Sequence, residues 1–175
     1  MQFQGRVWKY GDAVNTDVIF PGKYTYTLTD PNEWGKHALE DLDATFASAV
    51  RPGDIIVAGK NWGCGSSREQ AVGALKVVGV RCIIAKSFAR IYFRNCINQG
   101  VLPIVSPDAV DAIEAGEIIE VDVDQNVIRC ARGVFSFPPL SPSIHAILDA
   151  GGLIPMLRKR FGVEHLPMPE LKGGE

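Results

Sequence analysis

The stretch Gly63-Cys64-Gly65-Ser66-Ser67-Arg68 sets two hydroxyls and a guanidinium behind a pair of glycines. Glycine permits a tight turn in which backbone N–H groups face outward. A serine hydroxyl carries a proton when its anion is stabilised, and a guanidinium forks onto a carboxylate. The chemistry on offer is anion binding coupled to proton transfer. Ser66 or Ser67 at a helix start would cap it, and a helix N-terminus attracts an anion. The same residues also suit a plain capped strand-to-helix turn with a surface arginine, and the pattern alone fits both. Its glycine spacing matches neither a P-loop nor a dinucleotide fingerprint.

A second cluster runs from Lys86-Ser87 through Arg90 and Arg94 to Asn95. Ser87 is the expected helix cap. Arg90 and Arg94 stand four apart, on one helical face, where they can meet an anion or be solvated. A third cluster, Asn15-Thr16-Asp17-Val18-Ile19, puts Asp17 in a turn, either bonding its own backbone or joining in acid–base chemistry. The four cysteines, Cys64, Cys82, Cys96 and Cys130, form no CxxC pair, and His37, His145 and His165 are scattered. A zinc or iron–sulfur site built by this chain alone is not expected. Cys64, between the two glycines, is either a small residue in a tight loop or a reactive thiol.

These residues need elements to hold them. Arg6–Tyr10 alternates like a strand, and Val18–Phe20 reads as a second short apolar run ended by Pro21-Gly22. Residues 23–32 have loop composition. Asp30-Pro31 opens a helix expected to reach about Leu42. Asp54–Gly59 is a β-branched buried strand, residues 66–79 a helix stopped by Gly79, and Cys82–Ala85 a second buried strand. A helix over about 88–98, ended near Gly100, leads to a third strand at 101–105. That alternation predicts a parallel sheet. Residues 118–123 and 127–130 suggest a hairpin. Helices are expected over 142–150 and 153–160.

The chain has 175 residues, 46% hydrophobic and 22% charged, with a formal net charge of −2. One domain over 1–163 with a loose tail at 164–175 accounts for the length. The absence of a basic excess argues against nucleic acid as partner. No leader or long apolar run is evident, so the expectation is a cytoplasmic protein without membrane contact.

Together the three clusters resemble signatures of the aconitase family's swivel domain. Gly63–Glu69 is similar to its GxGSSRE loop, Lys86–Ile91 with Asn95 and Gln99-Gly100 to its KSFARI segment, and Thr16-Asp17-Val18-Ile19 with Pro21 to its TD step. The resemblance implies an α/β fold of swivel type (β/β/α), with a central, mostly parallel sheet flanked by helices. A free-standing swivel domain resembles the small subunits of two-subunit hydro-lyases acting on isopropylmalate, homoaconitate or dimethylmalate. The implied partner is a large subunit holding a four-iron–four-sulfur cluster, in a heterodimer or heterotetramer, with no cofactor on this chain. The isolated chain can also be a homo-oligomer. The implied substrate is a 2-hydroxy dicarboxylic acid.

On this resemblance Ser66 is the catalytic base and Asp17 an acidic residue at the edge of the active site. Gly65, Ser67 and Arg68 bind substrate, Arg68 by clamping its carboxylate. The substrate loop is Tyr24, Thr25, Tyr26 and Thr27. It departs from the isopropylmalate pattern at Thr25, where leucine is usual, and lacks the arginine of homoaconitate types. Gln70 also stands where histidine is common. A non-catalytic anion-binding module is the competing class, but it would have no need of paired serines.

Overall fold

The computed structural model describes residues 1–167. Chain order runs β1 (Gln2–Lys9), α1 (Thr16–Ile19), α2 (Pro31–Trp34), α3 (Phe46–Ala49), β2 (Ile55–Ala58), α4 (Gln70–Val77), β3 (Cys82–Ala85), α5 (Arg90–Gln99) and β4 (Leu102–Val105). It continues through α6 (Pro107–Ala112), β5 (Ile118–Asp122), β6 (Val127–Cys130), β7 (Gly133–Ser136), α7 (Pro142–Asp149) and α8 (Leu153–Arg160). One sheet collects the strands in the order β4-β3-β2-β1-β5-β6-β7. The pairs β1·β2, β2·β3 and β3·β4 are parallel, and β1·β5, β5·β6 and β6·β7 antiparallel.

Strands β2 and β3 are buried on both faces, which explains their unbroken apolar sequences. Successive side chains point to opposite sides of a strand. Thus Ile56, Ala58, Ile83 and Ala85 join one core, together with Ala71, Leu75 and Tyr92 from the crossover helices. Ile55, Val57, Cys82 and Ile84 join a second core with Ile113, Val121 and Ile128. The strand–helix alternation expected over 54–105 is present, as is the hairpin at 118–130.

Several expectations are corrected. Val18–Phe20 is no strand. It falls in and just after the single helical turn α1, because Asn15 Oδ1 accepts from Val18 N at 2.9 Å and starts a helix there. The helix opened by Pro31 ends early, with α2 passing into a 3-10 turn at Gly35–His37. The helix after the glycine loop starts at Gln70, not at Ser66 or Ser67, and neither serine caps it. Ser87 does not cap α5 either, because its hydroxyl accepts from Asn61 N. Strand β7 and the short helices α3 and α6 had no clear periodic signal. Of the tail assigned to 164–175, residues 168–175 lie outside the described residues.

Candidate active site

Three loops leave the carboxyl ends of β1, β2 and β3, the edge where ligands bind in parallel sheets. Main-chain bonds continue between them after the strands stop. Gly59 N donates to Gly11 O at 3.1 Å, Ala13 N to Lys60 O at 2.8 Å and Gly63 N to Val14 O at 2.8 Å. On the other side, Trp62 N donates to Ser87 O at 3.0 Å and Ala89 N to Trp62 O at 2.9 Å. The middle loop is therefore stitched to both neighbours.

Gly63 and Gly65 have φ of +76° and +92°, conformations that glycine adopts without strain. A Cβ on Gly63 would sit 2.1 Å from Cγ of Tyr92, so the loop lies directly on that ring. Burial pushes the Tyr92 hydroxyl well above its usual pKa, and it donates to Ala71 O at 3.2 Å, making it a neutral wall. Ser66 and Ser67 are exposed beyond this wall. The N–H groups of Gly65, Ser66, Ser67 and Arg68 donate no backbone hydrogen bond among the described residues. These four N–H groups belong to the segment that carries the Ser66 hydroxyl.

Arg68 folds back under the loop, its side chain 14% exposed against 64% for Asp17. Nη2 donates to Asp17 Oδ1, and Nη1 donates to Thr25 Oγ1 at 2.9 Å. Nε is buried without a partner among the described residues. Gly22 leaves room for this arrangement, since a Cβ there would fall 2.9 Å from Asp17 Oδ1 and 3.2 Å from Arg68 Nη1. A cavity of about 310 Å³ opens beside the loop, lined by Thr16, Ser66, Ser67, Arg68, Arg90 and Asn95 among others.

The residues singled out in the sequence are thus only partly gathered. Asp17, Thr25, Gly65, Ser66, Ser67 and Arg68 converge. The Tyr24 hydroxyl instead donates to Glu40 at 2.9 Å, and its ring lies tilted against that of His37, centroids 3.9 Å apart. Burial works against the Glu40 charge, but bonds from His37, Lys23 and Tyr24 hold its carboxyl below the usual range. Thr27 Oγ1 donates to Lys23 O within its own turn, and Tyr26 is 92% exposed. Arg90 reaches the cavity, whereas Arg94 lies on an adjoining apolar hollow with Phe88 and Phe93. The sequence pattern includes Thr16 without assigning it a role, and gives Gly22 no role beyond ending a turn. The adjacency of Thr16 to Asp17 was the one available sign of the first.

The aconitase C-terminal domain profile matches residues 10–109, a span holding α1, all three loops and α5. The chain belongs to the aconitase C-terminal domain family. Its relatives in that family include 3-isopropylmalate dehydratase small subunits. The one from Thermodesulfovibrio yellowstonii is 43% identical over 95% of this chain and 99% of its own length. The one from Caldicellulosiruptor bescii is 52% identical over 90% of this chain and 96% of its own. A crystal structure of 3-isopropylmalate dehydratase from Methanocaldococcus jannaschii superposes with a TM-score of 0.87 at 44% identity, covering 94% of this chain and 98% of that one. Aconitase X from Thermococcus kodakaraensis, 18% identical with a TM-score of 0.51, shares the fold over 79% of this chain and 91% of its own. The family fold, with its swivel-type sheet, is therefore the fold described above.

Proposed function

We propose that the chain is the small subunit of 3-isopropylmalate dehydratase. With a large iron–sulfur subunit it interconverts 2-isopropylmalate and 3-isopropylmalate by loss and re-addition of water, a cytoplasmic step of leucine biosynthesis. The observation that carries the reading is the convergence of Ser66, Ser67 and Arg68 on one cavity, with Asp17 and Thr25 orienting the guanidinium. Near-complete mutual coverage with the dehydratase small subunits supports the substrate.

In this reading the Ser66 hydroxyl, as its alkoxide, takes the proton from the carbon next to a substrate carboxylate. The alkoxide needs strong stabilisation. The N–H groups of the glycine loop and the nearby Arg68 supply it, as donors do in an oxyanion hole. Helix α4 begins at Gln70, so its first turn contributes less than the loop amides. Arg68 binds the carboxylate and keeps it in register with Ser66. Among the described residues no group of His, Cys, Asp or Glu is placed to hold a metal ion. A cluster on the large subunit supplies the Lewis acid that helps the substrate hydroxyl leave as water.

The test is reconstitution with the large subunit under anaerobic conditions, following absorbance of the unsaturated product from 2-isopropylmalate, 2,3-dimethylmalate and homoaconitate. Ser66→Ala in the same assay is expected to lower kcat at least ~100-fold with KM within a few-fold. Turnover of dimethylmalate alone would reassign the substrate, and an undiminished rate in Ser66→Ala would remove the base.

A further inference from the structure

Thr16 is 2% exposed, one of few polar side chains in the interior. It makes two bonds to the glycine loop from one residue. Its N–H donates to Cys64 O at 2.8 Å, and its Oγ1 donates to Ser66 O, also at 2.8 Å. Both carbonyls flanking Gly65 are therefore held by Thr16, and Gly65 between them takes the left-handed conformation. A Cβ on Gly65 would stand 3.5 Å from Thr16 Oγ1, so the hydroxyl sits against the turn itself.

Thr16 is itself anchored. Its carbonyl accepts from Phe20 N at 3.0 Å, and the preceding Asn15 caps the turn. A β-branched side chain has a restricted χ1, so its hydroxyl is aimed with little freedom. The next residue, Asp17, holds Arg68. The one-turn helix α1 thereby ties down both chemical groups, Ser66 through Thr16 and Arg68 through Asp17.

We infer that Thr16 is a positioning residue for the reaction, its hydroxyl fixing the Ser66 carbonyl and hence where Ser66 Oγ stands relative to Arg68. The inference rests on Ser66 acting as the base. It goes beyond satisfying a buried hydroxyl. The bond satisfies the buried Thr16 hydroxyl and at the same time fixes the main chain of the loop at Ser66, while the Thr16 N–H fixes it at Cys64. Misplacing a reacting group by about 1 Å costs on the order of 100-fold in rate.

Thr16→Val keeps the branched shape and removes the hydroxyl, and Thr16→Ser restores the hydroxyl. In the reconstituted enzyme Thr16→Val should lower kcat ~10- to 100-fold with KM within about three-fold, and Thr16→Ser should recover most of that loss. In the isolated chain, exchange of the hydrogen-bonded Thr16 and Gly63 amides that tie α1 to the loop should quicken ~10-fold in Thr16→Val, with β2 and α4 unchanged. An undiminished kcat, a Ser variant as impaired as Val, or unchanged loop exchange overturns the inference. If the wild-type enzyme dehydrates no substituted malate, the base assignment falls instead, and the exchange measurement still reports on the loop.

Discussion

Arg68 is committed on two sides before any ligand arrives, to Asp17 through one terminal nitrogen and to Thr25 through the other. A lysine in its place offers a point charge without the planar fork. Arg68→Lys is therefore expected to raise KM ~10-fold or more, with a smaller fall in kcat, in steady-state assays of the reconstituted enzyme. Gly63 permits a sharper comparison. Alanine there meets the Tyr92 ring at 2.1 Å, while Gly116 has a similar φ of +83° with open space around it. Gly63→Ala should lower unfolding stability by at least ~2 kcal/mol and Gly116→Ala by only ~1 kcal/mol in urea titrations. At this scale the serines and the arginine were legible, since hydroxyls and a guanidinium behind glycines announce their chemistry. The role of Thr16 was not, because its bond partner lies fifty positions away and is brought near only once β1 and β2 have paired.

Among the elements, the junction of β1 and β2 turns on Asp54. Its carboxylate, 5% exposed, accepts from Trp8 Nε1 at 2.9 Å, Arg51 N at 3.0 Å and Arg6 Nη2 at 3.2 Å. Burial works against its charge, yet these donors hold its pKa below the usual carboxylate range. A group depressed in the folded state stabilises above its unfolded pKa of about 3.9, and the benefit goes as pH falls through the folded value. Asp54→Asn should lose ~2 kcal/mol at neutral pH and show a shallower drop in stability below pH ~4, measured by denaturation at several pH values. The β2–α4–β3–α5–β4 run was readable from apolar period and from Gly79 and Gly100. The start of α4 was misjudged because a local capping preference was outbid by bonds from α1. Strand β7, as short as β2, β3 and β4, lacks the buried apolar run that marks them, since none of its four residues is buried.

For the molecule as a whole, the sheet separates two cores, and the site lies at one edge with its serines open. A proton-abstracting alkoxide works in a water-poor site, and this chain provides only part of the walls. The isolated chain is accordingly expected to be folded and without turnover. On adding the large subunit, amide exchange should slow at 24–27, 63–68 and 90–94, where Tyr26 and Ile91 now face water. Protection confined to the opposite edge, around Gly53 and Gly151, would contradict a shared site.

Strand β1 lies at the centre of the sheet, between β2 and β5. It is synthesised before both. Val7 has no partner until Ile55 has been made, and Phe3 none until Val121. The nascent chain therefore carries a strand with two open edges until β2 and β5 have been made, a template for pairing with other nascent copies. Slowing elongation between residues 60 and 120 should increase aggregation more than slowing it after residue 130.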